Sequence, residues 1–206
     1  MAIEERKLKE KLNRYNAILS AAEEIMKTSG VNGLNMDLVA KKTELAKGTL
    51  YLYFKSKEEI LAALSIKARS LLLTHFIKST NKSDNPIEQL KAISHANFNF
   101  FKKYTHYFEL IAIYEVNNKF EETPEIKQST NNLIHFVNSI TIRAKESGYL
   151  NSSLDPIKYT FCLWGMLIGM CQMLQVRGKL LKNEYGFTEK DIINTFMSQL
   201  EEGMVK

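Results

Sequence analysis

Apolar residues in the first thirty positions recur at Leu8, Leu12, Tyr15, Ile18, Ala22 and Ile25, a spacing of three and four that predicts one helix with a single apolar stripe. The stripe ends near Gly30, a residue suited to stopping a helix. Asn35 can cap a short helix running to about Thr43, and a further helix from Ala46 to Phe54 follows a turn at Glu44-Leu45. Ser56 and Glu59 then form a Ser-x-x-Glu capping box ahead of the long apolar period Ile60, Leu61, Leu64, Ala68, Leu71 and Leu72. Longer helices are predicted at 86–103, 105–117, 124–147, 155–178 and 188–204. Pro86, Pro124 and Pro156 stand at helix starts, and the linkers Ser79–Asn85, Asn117–Thr123, Gly148–Leu154 and Lys179–Phe187 are polar or contain glycine. No stretch alternates as a strand does. The pattern predicts an all-α chain of about nine helices, with a three-helix helix-turn-helix module at 1–55 and a larger helical bundle at 56–206.

The second helix of a helix-turn-helix enters the DNA major groove, and the segment Ala46 to Phe54 suits that role. With Leu50 pointing inward, steps of about 100° per residue place Ala46, Tyr53 and Phe54 near it and turn Gly48 and Leu52 outward, flanked by Thr49 and Tyr51. Gly48 admits a close approach of backbone, Thr49 can bond a base edge or phosphate, and Leu52 can pack on a thymine methyl. Tyr51 and Tyr53 can donate hydroxyls to phosphates. Lys57 falls in the first turn of the next helix, where a cation opposes the helix dipole unless an anion compensates it. A solvated lysine is the plain alternative; the pattern around Lys57 favours a phosphate.

The run VNGLNMDLVAKKTELAKGTLYLYFKSKEEIL, with ILSAAEEIM ahead of it, closely resembles the DNA-binding domain of TetR-type (tetracycline-repressor family) transcriptional regulators. The resemblance is specific through residues 17–64 and extends further only as a general helical layout. It implies a homodimer that binds a palindromic double-stranded DNA operator, usually as a repressor, and leaves it when a small molecule enters the C-terminal ligand-binding and dimerisation domain. By position, Lys47, Thr49, Tyr51, Tyr53 and Lys57 match residues that touch DNA in the family, with Gly48 at the close approach and Leu50 and Phe54 in the core. Glu44 departs from the pattern, since the family often has glycine in that turn; either the turn avoids a positive φ or Glu44 accepts some strain.

In the bundle, Phe98, Phe100, Phe101, Tyr104, Tyr107, Phe108 and Tyr114, and Met166, Met170 and Met173 beside Trp164, are ordinary core material for the most part. The resemblance singles out Phe101, Tyr104, Phe108, Glu109, Trp164, Met170 and Met173 as candidates for a pocket holding a hydrophobic or aromatic effector. His106 and Gln172 could also orient such a ligand, although a solvated His106 is the preferred reading. Ile192, Ile193, Phe196, Met197 and Leu200 form one face of the last helix; with Gly165 and Gly169 they suit a two-fold helical interface, and packing on the chain's own bundle is the alternative.

Composition narrows the class only a little. The 206 residues are 45% hydrophobic, enough for a core, and the net charge of +5 suits an anionic partner without requiring one. The local excess at Lys41, Lys42, Lys47, Lys55 and Lys57, against Glu44, is more telling. The N-terminus mixes acids and bases where a signal peptide needs an apolar run, and the most apolar segment, Phe161 to Cys171, is shorter than the ~20 residues that cross a bilayer. A cytoplasmic chain without a membrane partner is expected. Cys162 and Cys171 lie nine residues apart, on opposite sides of one helix, and read as buried structural thiols. His75, His95, His106 and His135 show no ligand pairing, and no phosphate loop, nucleophile elbow or zinc spacing occurs, so neither an enzyme nor a cofactor is expected. A helical ligand-binding protein without DNA affinity and a non-switching DNA binder remain the alternatives. The lysines from 47 to 57 argue against the first, and the size of the second module argues against the other.

Overall fold

The computed structural model describes residues 2–116 and 123–204. Among these residues all regular structure is helical: α1 (Ala2–Ser29), a short 3-10 turn (Val31–Gly33), α2 (Met36–Lys42), α3 (Lys47–Tyr51), α4 (Lys57–Thr80), α5 (Pro86–Lys103), α6 (Thr105–Val116), α7 (Pro124–Glu146), α8 (Pro156–Tyr185) and α9 (Glu189–Met204). Pro86, Pro124 and Pro156 are each the first residue of their helix, where a missing N–H costs nothing. Most of the expected linker 117–123, and the side chain of Leu200, lie outside the described residues.

The chain divides into two compact units. The first comprises residues 1–69 and 104–126. Ile18, Ala22 and Ile25 of α1, Val39 of α2, Leu50 of α3, Leu61 and Leu64 of α4 and Leu110 and Ile111 of α6 supply its buried apolar groups. Only the second half of the α1 stripe is core; Leu8 and Leu12 remain 69% and 56% exposed. The periodicity continues past the point where anything packs on the helix.

Two polar arrangements pin this unit. Arg69 of α4 is buried, and its guanidinium donates to Glu115 Oε1 at 3.0 Å and to Ser65 Oγ while its charge stands over the Tyr114 ring. An arginine so enclosed would be costly without that carboxylate. Glu23 of α1 is the second centre. Its Oε2 accepts from Tyr107 Oη of α6 at 2.6 Å and from Lys67 Nζ of α4 at 2.8 Å, and its Oε1 accepts from Lys27 Nζ at 2.7 Å. Burial alone would raise this carboxyl, but the three donors outweigh it and hold the pKa at about 2. Burial, with Glu23 as acceptor, pushes the Tyr107 hydroxyl far up. His106 is buried rather than solvated, and its Nε2 stands 3.7 Å from Glu23 Oε1. Burial, then the neighbouring Lys27, pushes its pKa below the ordinary value of 6.5. The residues around it, THYFELIAIY, are apolar on every side of α6, so no polar face marked His106 as facing in or out.

The second unit comprises residues 70–103 and 127–206. Phe76, Leu90, Ile93 and Phe100 meet Leu133, Val137, Ile140, Leu163, Leu167, Cys171 and Leu174 in its core. Asp155 Oδ1 caps α8 by accepting from Ile157 N and Lys158 N at 3.0 and 3.3 Å. The helix runs to Tyr185, past the expected end at 178, because Leu180 and Leu181 continue the period and only Gly186, at φ 74°, supplies a left-handed stop. The expected linker from Lys179 is therefore mostly helix. Cys171 is buried and Cys162 is exposed, which corrects the expectation of two buried thiols: the side of α8 opposite Cys171 has nothing on it.

By length and composition, α4 and α8 would each suffice to cross a bilayer, with 44% and 33% of their apolar windows buried inside the protein. The segment Phe161–Cys171 is short, but the helix that contains it is 30 residues long.

Acidification should destabilise the first unit. His106 has a folded-state pKa below its unfolded one, so the stability of the neutral form is present above about 6.5 and is lost as pH falls; Glu23 adds a further loss below about 4.5, toward 2. Melting temperature is expected to drop between pH 7 and pH 5, with a flatter dependence in His106→Asn. An unchanged slope in that variant, measured by thermal unfolding, would remove His106 as the cause.

Candidate nucleic-acid interface

The outer surface of α3 depends on how its inner surface is held. Leu50 is fully buried, and Phe54, also buried, stacks on Tyr15 of α1 with ring centroids 4.9 Å apart. Regular helix covers only Lys47–Tyr51, shorter than the expected 46–54. Leu52 N, Tyr53 N and Phe54 N still bond back to Thr49 and Leu50 carbonyls at 3.0–3.2 Å, so the chain keeps turning after the helix proper ends. This brings Phe54 under Leu50.

The turn before α3 is built by Glu44. Its φ of 55° makes it the positive-φ non-glycine residue among those described, so it accepts the strained conformation where the family pattern often has glycine. Leu45 N bonds Ala40 O at 3.1 Å across the turn, and Asn35 Oδ1 caps α2 by accepting from Leu38 N at 2.9 Å. The entry of α3 is therefore set by backbone bonds at both ends of α2.

Away from the core, α3 presents Gly48, Tyr51 and Leu52, with Leu52 82% and Tyr51 48% exposed. A Cβ at Gly48 would meet no atom within 4 Å. Glycine costs a helix about 1 kcal/mol relative to alanine, and no close contact among the described residues calls for it here. Thr49 is half-buried at the edge of this surface. Tyr53 is half-buried on the side toward α1, where it and Leu52 line an open groove with Leu8, Lys11, Leu12 and Tyr15.

The cations differ in availability. Lys47 Nζ is paired with Asp37 Oδ1 at 2.8 Å and Lys42 Nζ with Glu24 Oε2 at 2.7 Å, and the hydrogen bond from its partner raises the Lys47 pKa and lowers that of Glu24. Both pairs are exposed, so redirecting either lysine to another anion costs little. Lys41, Lys55 and Lys57 have no ion pair among the described residues. Lys57 opens α4 as expected, but the cap is a variant of the expected box: Ser56 Oγ accepts from Glu59 N at 3.3 Å, while the Glu59 carboxylate reaches back to Lys55 N at 2.7 Å. The Glu59 carboxylate is thereby bonded to backbone, and Lys57 is left without an ion pair among the described residues although Glu58 and Glu59 share its turn. Neither the lysine pairing nor the groove was legible in advance, because each joins residues far apart in sequence.

The residues singled out for an effector fall in both units. In the first, Phe108 is core, and Tyr104 and Glu109 are half-buried on or beside α6. In the second, Phe101 is core, Trp164 and Met170 are half-buried on the two borders of the buried face of α8, and Met173 is exposed. Trp164 and Met173, nine residues apart, point to opposite sides of α8.

Residues 18–64 match the family described as bacterial regulatory proteins, tetR family. Over 152 residues the chain is 24% identical to the fatty acid metabolism regulator protein of Bacillus subtilis, covering 72% of this chain and 76% of that one. Other curated helix-turn-helix regulators match over less than half of this chain and of their own length. Among solved structures, the transcriptional regulator FadR from Bacillus subtilis in complex with stearoyl-CoA has a TM-score of 0.74 at 19% identity, over 92% of this chain and 98% of that one. AibR in complex with isovaleryl coenzyme A and operator DNA has a TM-score of 0.68 at 19% identity, over 90% and 97%.

The strained turn makes one position diagnostic. Glu44→Val should cost about 1–2 kcal/mol, because a β-branched residue tolerates positive φ worse than glutamate does, whereas Glu44→Gly should leave stability level or slightly raised. Urea unfolding of the two variants checks the order; equal losses would mean that backbone strain is not what the turn depends on.

Proposed function

We propose that the chain, whose residues 18–64 match the tetR family of bacterial regulatory proteins, is a transcriptional repressor of that family. It acts in the cytoplasm as a homodimer on a palindromic operator and is released by a small hydrophobic effector. The observation that carries the DNA reading is the outer face of α3, which has an unfilled Gly48, an exposed Leu52 and two tyrosine hydroxyls and is followed in sequence by Lys57, which has no ion pair among the described residues. Gly48 sets the approach distance, Thr49 and Leu52 read base edges, and Tyr51, Tyr53, Lys57 and a redirected Lys47 hold phosphates.

The bare side of α8 supports the dimer. Phe161, Met166 and Val176 are exposed there, and a Cβ at Gly165 or Gly169 would meet nothing within 4 Å, so a second helix can come close. On α9, Ile193 and Met197 are buried within the chain, which assigns that face partly to the chain's own bundle; Ile192 and Phe196, half-buried, remain for a partner. Two such chains about a two-fold axis present two α3 helices to the two halves of a palindrome.

For the effector we take the acyl-coenzyme A class. Two proteins of this fold are described with acyl-coenzyme A ligands, and a fatty acid metabolism regulator matches over 72% of this chain. Within the second unit, Phe101, Trp164 and Met170 suit contact with the acyl chain. The route to DNA is α4, which opens at Lys57 beside the recognition surface and continues unbroken to Thr80. A ligand that favours one position of this helix shifts the spacing of the recognition helices and weakens operator binding.

Footprinting on the intergenic DNA beside the chain's own gene should show a protected palindrome. Tyr51→Ala and Lys57→Ala should weaken binding, and Lys57→Ala should make the salt dependence shallower by about one unit of log–log slope for each phosphate it no longer neutralises. Long-chain acyl-coenzyme A, but not free coenzyme A, should reduce operator affinity. Wild-type binding by both variants would overturn the interface, and operator affinity indifferent to acyl-coenzyme A would overturn the effector class.

A further inference from the structure

The first half of α1 has no role in the fold described so far. Every side chain from Glu4 to Arg14 is exposed, and this part of the helix lies ahead of the segment that matches the family. A helix that packs on nothing needs a reason to persist, since isolated helical turns are marginal in water. Its apolar stripe, Leu8, Leu12 and Tyr15, forms one wall of an open groove of about 450 Å³, and the other wall is Leu52 and Tyr53 at the end of the recognition helix. Lys11 also lines that groove.

Three of the basic residues along this extension share one flank. At about 100° per residue, Lys7, Lys11 and Arg14 fall within about 60° of one another, next to the apolar stripe and bordered by Glu4 and Glu10, while Lys9 lies on the opposite side. Arg6 is paired with Glu10 at 3.2 Å; among the described residues Lys7, Lys11 and Arg14 have no ion pair. Three like charges at spacings of four and three repel one another along a helix, and one anionic partner running along that flank relieves the repulsion. The lysines nearest the helix-turn-helix do not offset this, because Lys47 and Lys42 are already held by Asp37 and Glu24.

We propose that residues 4–15 of α1 form a second DNA-contacting element, which sets Lys7, Lys11 and Arg14 against the sugar–phosphate backbone beside the half-site read by α3. The proposal rests on the DNA-binding reading above and extends its footprint. The groove adjoins the recognition surface through Leu52 and Tyr53, so its occupant is the same polymer that α3 meets. The cationic flank takes the phosphates and Leu8, Leu12 and Leu52 take the apolar edges of the deoxyribose rings. These contacts carry no base information, so they raise affinity and not sequence preference.

The test uses the full-length protein and duplex DNA from the intergenic region beside its own gene, with affinity measured across a salt series. The triple variant Lys7→Gln, Lys11→Gln, Arg14→Gln should lose at least tenfold in affinity at low salt. Its log–log salt slope should be shallower by about 0.9 for each phosphate no longer neutralised, with unchanged preference for the protected sequence over a shuffled duplex. Lys9→Gln, on the opposite side of the helix, should keep the wild-type slope. A triple variant with the wild-type slope overturns the proposal, as does an equal loss in Lys9→Gln. If the wild-type chain instead self-associates through the groove, as shown by a sedimentation shift abolished by Leu8→Ser, Leu12→Ser with DNA affinity intact, the proposal is overturned in favour of a protein contact. A wild-type chain that binds no DNA at all would defeat the underlying reading rather than this extension of it.

Discussion

A helix of five residues cannot hold itself together, because it closes too few hydrogen bonds to offset the ordering of its backbone. The α3 segment exists because Leu50 has no exposed surface and Phe54 lies stacked on Tyr15, so the core of the first unit fixes both its position and its rotation. Fixing the inner side fixes the outer one. Gly48, Tyr51 and Leu52 point away from the core as a consequence of where Leu50 points, and a surface suited to a groove follows from the packing beneath it. Tyr15 therefore serves two purposes, as the plate under Phe54 and as part of the wall of the groove beyond it.

Electrostatics in the same unit are more economical than the lysine count implies. Asp37 and Glu24 hold two of the basic side chains on the helix-turn-helix surface, and Glu23 gathers Lys27, Lys67 and Tyr107 into one cluster joining α1, α4 and α6. The surface is thus not a uniform field of positive charge. Exposed pairs act as a reserve, since each releases its lysine at small cost, while Glu23, itself mostly buried and bonded to three donors, joins three helices.

Local signals carried most of the fold. The prolines at the starts of α5, α7 and α8, the Asn35 cap and the glycine after α1 each act within a turn or two of themselves, so periodicity and end signals were enough to place them. Long-range facts were hidden. The stripe through Leu8 and Leu12 has the same period as the part that is buried, and nothing in the period says where packing stops. Helix α8 outran its expected end because lysine and leucine continue a helix whether or not a core lies beneath them. His106 sits in a helix apolar all round, where no polar face marks which side turns inward. For the site, the identities on α3 were legible from Leu50 outward, whereas the pairing of Lys47 with Asp37 joins residues ten positions apart across the turn and had no signature in either one.

The placement of Trp164 has a spectroscopic consequence. It is the sole tryptophan of the chain, it stands half-buried at the border of the packed face of α8, and it belongs to the second unit, whereas the recognition surface carries tyrosine alone. Emission excited at the red edge of the absorption band therefore reports on one side of one helix, without any label. Tyrosine emission is shared between the units, since Tyr149, Tyr159 and Tyr185 belong to the second, so the tryptophan band alone isolates an event at α8 from one at the recognition surface.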